Sequence, residues 1–186
     1  MKKTDIFSGR PAIQFFSIIL ILVIVFGLRS ASANNRDKST DIDAVLAYFS
    51  AIDTSDSAKI PELFAADATQ EFMGNDPIVG VDAIKSQFEL SLAQLQSMKT
   101  DVIDMVAENG VVGIHVKHTA VFKAGGAFKN RAGIVPPMVI FQEPVDVVWQ
   151  AMALFRLKDG MITEEIIIRD ELSILTQVGT LSLETP

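Results

Sequence analysis

The chain has no cysteine, which removes disulfides, thiolate nucleophiles and thiolate metal sites together. Histidine is almost as scarce, with two in 186 residues, and no two-histidine, one-carboxylate spacing accompanies them, so no metal site is expected. There is no glycine-rich phosphate loop, no G-x-S-x-G turn and no basic stripe interleaved with aromatics, which argues against nucleotide, serine-hydrolase and nucleic-acid chemistry. No N-x-S/T acceptor for glycosylation occurs. Basic residues are outnumbered, 16 Lys and Arg against 23 Asp and Glu.

What the chain does have is a run of apolar residues at positions 13–28, IQFFSIILILVIVFGL, behind Lys2, Lys3 and Arg10 and followed by Ala31-Ser32-Ala33. A basic start, a short apolar stretch and an A-x-A site are the pattern of a secretory signal peptide cleaved after Ala33. The alternative is an uncleaved N-terminal membrane anchor: the run falls slightly short of the ~20 residues that span a bilayer but can serve when flanking residues snorkel. Either way the rest of the chain is expected outside the cytoplasm, secreted or periplasmic in the first case and membrane-anchored in the second. Without residues 1–33, which hold four basic residues and one acid, 12 basic residues face 22 acidic ones. Such a surface disfavours nucleic acid and anionic lipid, so membrane contact is expected only through the N-terminal segment. The 49% hydrophobic content excludes a disordered chain, and the remaining length suits one domain held together by its core.

Residues 34–40 read as a polar leader, 41–180 as the domain and 181–186 as a tail. Thr40 and Asp43 resemble a capping box, after which Ile42, Val45, Leu46, Phe49 and Ile52 recur at helical spacing, predicting a helix over 41–53. Ser57 is placed to cap a short helix with Ile60, Leu63 and Phe64, ending near Asp67; Thr69 to Met73 suits a short strand; and Val81, Ile84, Phe88, Leu92 and Leu95 form the stripe of a third helix. Beyond Lys99 the period switches to two. Strands are predicted over 100–107, 111–123, 145–157 and 161–172, the first pair joined at Asn109-Gly110 and the second at Asp159-Gly160. Helices first and antiparallel strands after imply an α+β fold, N-terminal helices packed on a curved antiparallel sheet. The segment 124–144 fits a lid, an extra strand, an oligomer contact or an ordinary long connection.

Alternation in the last strand puts Ile166, Ile168, Asp170 and Leu172 on one face and Ile167, Arg169 and Glu171 on the other. A carboxylate among apolar neighbours must be paired or have its pKa raised, which makes Asp170 the first candidate for acid/base chemistry; its structural alternative is an ion pair with Arg156. In the strand from Val111, His118 shares its face with Val112, Ile114, Val116, Ala120 and Phe122. It is either a core histidine bonded to a carbonyl or a partner of Asp170 across a cavity. Trp149 and Phe155 flank the small Ala151 and Ala153 on one face, leaving room for a flat apolar ligand or forming part of a helix-on-sheet core.

The stretch FRLKDGMITEEIIIRDELSILTQVG (155–179) resembles the closing hairpin of the SnoaL-like branch of the NTF2-like, ketosteroid-isomerase-like superfamily, and AYFSAIDTSDSAKIPELFAADATQEFMGNDPIVGVDAIKSQF (47–88) is similar to its opening. The resemblance covers about 41–180. It implies a catalytic aspartate late in the last strand, at Asp170 with Gln177 and Gly179 following, and an oxyanion-donating tyrosine on the first helix, at Tyr48. It also places Phe72 and Ala153 where the steroid isomerases carry acids, which argues against that reaction. Together these readings give Asp170, His118 and Tyr48 as catalytic candidates and Trp149, Phe155, Phe72 and Ile168 as pocket lining. The expected function is binding of a small apolar molecule in the cavity between helices and sheet. The alternative is a cofactor-independent cyclase, isomerase or hydratase, and a homodimer is the expected assembly. No cofactor and no metal are implied.

Overall fold

The computed structural model describes residues 39–72, 75–129 and 138–180. The signal or anchor reading of 1–33, most of the leader, the tail 181–186 and the middle of the 124–144 segment lie outside the described residues. Helix α1 covers 39–54 and buries Val45, Tyr48, Phe49 and Ala51. Ser55 then turns left-handed at φ 54°, and Asp56, rather than Ser57, accepts the capping bond of a 3-10 turn, Ser57–Lys59. That turn runs into a single helical turn, α2 (Ile60–Leu63), with Pro61 at its start, where its missing N–H costs nothing. The short helix therefore stops earlier than expected, and strand β1 (Phe64–Phe72) begins at once. A two-residue strand, β2 (Ile78–Val79), and helix α3 (Val81–Leu92), which buries Ile84 and Phe88, complete the first half.

The second half is built of β3 (Leu95–Glu108), β4 (Val111–Phe122), β5 (Ala127–Lys129), β6 (Met138–Ile140), β7 (Val145–Lys158) and β8 (Met161–Arg169). Both predicted turns form: Asn109 and Gly110 sit at φ 52° and 74°, Asp159 and Gly160 at 54° and 78°, as a primed two-residue turn requires at both central positions. Six strands make one sheet in the order β2-β1-β8-β7-β4-β3. All pairs are antiparallel except β1 with β8, so the sheet is mixed rather than purely antiparallel. Register breaks in the β1–β8, β3–β4 and β7–β8 pairs bend the sheet, as inserted residues do.

Helix α1 packs on the sheet face that carries Phe155. Tyr48 and Phe49 of α1 meet Phe155 of β7 edge-on, with ring centres 5.8 and 6.0 Å away, a geometry favoured by the ring quadrupoles. Within the 124–144 segment, the described residues include a small antiparallel ribbon of β5 and β6. Phe128 of β5 packs edge-on against Phe122 at 6.0 Å. Gly126 is required at its entry, because a Cβ there would lie 2.7 Å from the Gln94 carbonyl oxygen and 2.8 Å from that of Lys123. The predicted strand 161–172 ends at Arg169, and Glu171–Gln177 form a helix, α4, absent from the sequence reading. Among the described residues no helix is long and apolar enough to cross a membrane.

Candidate functional site

Between the helices and the sheet lies a cavity of about 420 Å³, walled mainly by apolar side chains that include Phe49, Phe72, Phe88, Met98, Phe128 and Trp149. Ala151 and Ala153 stand on its β7 wall, and their small side chains leave the space that the alternation with Trp149 suggests.

A buried polar group sits in this wall. Glu165 on β8 pairs in register with Gln70 on β1, and both line the cavity with Tyr48. Gln70 Nε2 donates to Glu165 Oε2 at 2.6 Å and to the Tyr48 hydroxyl at 3.3 Å; the Tyr48 hydroxyl in turn bonds to the carboxyl. Glu165 is 1% exposed, and no cation among the described residues pairs with it. Burial therefore dominates and raises its pKa to about 7, against the smaller opposing effect of the bonds from Gln70 and Tyr48. Burial, reinforced by the Glu165 charge, also pushes the Tyr48 hydroxyl well above its usual range. At neutral pH the trio holds a carboxyl poised between acid and base beside a tyrosine that stays protonated.

A second polar chain crosses three strands. Thr100, His118 and Trp149 stand directly opposite one another on β3, β4 and β7. Asp53, at the end of α1, accepts the Thr100 backbone N–H at 3.0 Å and its hydroxyl proton at 2.7 Å. The same hydroxyl oxygen lies 3.0 Å from His118 Nδ1. The imidazole lies against the Trp149 ring, centres 5.1 Å apart. Burial first, and the nearby Arg169 second, lower its pKa to about 4, so His118 is neutral at physiological pH. Arg169 is itself spoken for. It holds Glu171 through Nε at 2.5 Å and through a second nitrogen at 3.1 Å, and stands 5.0 Å over the Phe128 ring. Among the described residues, no cluster of three or more His, Asp or Glu could hold a metal ion.

The model of the SnoaL-like domain matches residues 45–165. The chain belongs to the SnoaL-like domain family. Solved structures agree on the fold. A protein of Jannaschia sp. CCS1 assigned as a SnoaL-like polyketide cyclase superposes with a TM-score of 0.62 at 18% identity, over 78% of this chain and 95% of its own. IdmH of Streptomyces antibioticus, assigned as a polyketide cyclase, gives 0.58 at 19% identity, over 75% and 98%. An LEH-like epoxide hydrolase of M. tuberculosis gives 0.57 at 16%, over 75% and 90%. No curated protein sequence matches. The sheet and helices are thus those of the NTF2-like fold.

In this SnoaL-like domain, the catalytic candidates His118 and Tyr48 and the pocket candidates Trp149 and Phe72 line the cavity. Phe155 does not; it is fully buried behind Tyr48 and Phe49 as core. Ile168 is 62% exposed on the outer face of the sheet. Asp170 is exposed as well, and its Oδ1 accepts the Ser173 N–H at 2.9 Å as the N-cap of α4. It neither joins His118 nor pairs with Arg156, which binds Glu164 at 2.6 Å. The cause is a register break: Arg156 stands opposite Glu164, but Leu157 opposite Ile162. One extra residue on β8 reverses its alternation, so Ile162 is followed inward by Glu165, Ile167 and Arg169. Glu165, Gln70, Thr100 and Asp53 were not singled out from the sequence. Gln70 was accessible in principle, since alternation places it on the same face as Phe72.

Proposed function

We propose that the SnoaL-like domain binds a small, largely apolar, oxygen-bearing molecule in this cavity, and that Glu165 moves a proton on it. The observation that carries the reading is a fully buried carboxyl, with no cation paired to it among the described residues, in the wall of a largely apolar cavity. A carboxyl whose pKa lies near the operating pH serves as donor or acceptor with little loss to the wrong protonation state. Two of the similar structures are named for cyclisation and one for epoxide hydrolysis, and transfer of a proton to a carbonyl or epoxide oxygen is a step this carboxyl could supply in either setting.

A flat carbon acid tests this without knowledge of the natural ligand. The ring of 5-nitrobenzisoxazole opens when a positioned base removes its C–H proton, and the released phenolate is coloured. With the full-length protein, the rate is expected to rise through about pH 7 as Glu165 ionises. Glu165→Gln should lower it at pH 8 by tenfold or more, whereas Asp170→Asn, outside the cavity, leaves it unchanged. No rate above buffer, or equal rates for the wild type and Glu165→Gln, would sink the proposal.

Self-association through the outer sheet face belongs to the same reading. Val106, Met152 and Ile168 are 74%, 63% and 62% exposed, and Met152 and Ile168 stand directly opposite each other on β7 and β8. Apolar groups exposed together on a sheet favour a covering partner. Sedimentation equilibrium should give a dimer mass that falls to the monomer in Met152→Lys; a wild-type monomer rejects it.

A further inference from the structure

The chain Asp53–Thr100–His118 fixes more than the position of a ring. A threonine hydroxyl has one proton, and Asp53 Oδ1 takes it at 2.7 Å, because a charged carboxylate is a better acceptor than a neutral ring nitrogen. The hydroxyl oxygen then offers only a lone pair to Nδ1, 3.0 Å away. Nδ1 must therefore carry the imidazole proton, and Nε2 in the neutral ring is a bare acceptor. Nε2 has no partner among the described residues, and neither has the indole Nε1–H of Trp149. No fully buried side-chain nitrogen or oxygen lacks a partner, so both atoms open onto accessible space. Both residues are more than nine-tenths buried, at 6% and 8% exposed, and both line the cavity.

We infer that His118 is the specificity-determining residue of this cavity, presenting Nε2 as a hydrogen-bond acceptor beside the Trp149 indole donor and selecting a flat molecule that carries a hydroxyl over the isostere that lacks one. A hydroxyl satisfies both atoms, donating to Nε2 and accepting from the indole. An ether or a bare ring leaves the buried acceptor unpaired, the situation in which hydrogen-bonding sites discriminate strongly. Because burial keeps His118 neutral well below pH 6, the selection holds across the physiological range. The inference rests on the cavity reading above and adds to it the class of ligand: a hydroxylated, ring-bearing apolar molecule. Its reacting oxygen or carbon would face Glu165, while the hydroxyl faces His118.

The test uses 2-naphthol and 2-methoxynaphthalene with the full-length protein. Binding is followed at the indole N–H resonance of Trp149, the single tryptophan of the chain. The naphthol is expected to bind tighter by about tenfold or more. Asp53→Asn places an amide donor against the Thr100 hydroxyl, which then passes its own proton to Nδ1. The tautomer inverts, and the preference should vanish. Nitrogen-15 spectra of the His118 imidazole read this directly, with Nδ1 protonated in the wild type and Nε2 protonated in Asp53→Asn. Equal binding of the two probes overturns this inference alone, and binding of neither overturns the cavity reading as well. A preference that survives Asp53→Asn would put the hydroxyl elsewhere and overturn it too. The wild-type spectrum needs neither ligand nor variant, and a protonated Nε2 there overturns the inference by itself.

Discussion

Glu165→Gln will stabilise this protein above pH 8 by about 3 kcal/mol, and leave it within about 1 kcal/mol of the wild type below pH 4.5. The reason lies in what burial does to a carboxyl that no cation among the described residues pairs. In the unfolded chain the group ionises near 4.5, and in the cavity wall near 7. Between these values the folded state binds more protons than the unfolded one, so stability falls as pH rises and stays low above the folded pKa. The separation of about 2.5 units corresponds to roughly 3 kcal/mol, at about 1.4 kcal/mol per unit. Glutamine keeps the shape and an oxygen for Gln70 or Tyr48 but carries no charge at any pH. Unfolding in denaturant at pH 4.5 and pH 8 checks it. At this chain length the shift is worth about 6–12 °C in Tm at the higher pH. A difference between variant and wild type that did not change with pH would show that Glu165 ionises normally, removing the main support for its role in proton transfer.

How much of this was legible in the sequence depends on where alternation is unbroken. On β4 the row Val112, Ile114, Val116, His118, Ala120 and Phe122 is buried as the spacing predicts, and on β7 so is the row from Val147 to Leu157. The long strands and both tight turns followed from period two and from Asn-Gly and Asp-Gly. On β8 the same rule fails twice over. Nothing in MITEEIIIR marks the extra residue near Thr163. Hydrophobicity then chooses the wrong face, because the outward row contains Ile166 and Ile168 and the inward one Glu165 and Arg169. The inward charges are tolerated because each is answered locally, Glu165 by Gln70 and Tyr48 and Arg169 by Glu171. A strand that buries its charged row against the local pattern is the sort of local/global conflict expected at functional sites, and it supports the role proposed for Glu165. Asp170, conspicuous in sequence, starts a helix, a job in which its side chain contributes on the order of 1 kcal/mol. The polar chain to His118 stayed hidden for a different reason. Its three members come from positions 53, 100 and 118, and only the packing of α1 across β3 brings Asp53 to Thr100.

The two perturbed groups of the cavity should also oppose each other in a way that single variants expose. His118 is pushed down to about 4 from 6.5, so between those values the unfolded state binds the extra proton and stability rises with pH. Glu165 acts with the reverse sign from 4.5 to about 7. From pH 4.5 to 6.5 the two slopes, each up to about 1.4 kcal/mol per unit, offset each other. His118→Gln, which retains an amide donor for Thr100, removes only the rising contribution, so relative to the wild type it should lose about 3 kcal/mol of stability between pH 4 and 7. Glu165→Gln should gain about as much over nearly the same interval, and the double variant should again follow the wild-type profile to within about 1 kcal/mol. Unfolding free energies of the four proteins at half-unit steps from pH 4 to 8 give the result. Parallel curves for His118→Gln and the wild type would mean that the imidazole titrates alike folded and unfolded. His118 would then not be neutral by burial, and the proton count that makes Nε2 an acceptor would no longer hold. Opposed slopes would show that one cavity is lined by both a neutral base and a neutral acid near pH 6, the condition under which a ligand meets both a lone pair and a proton.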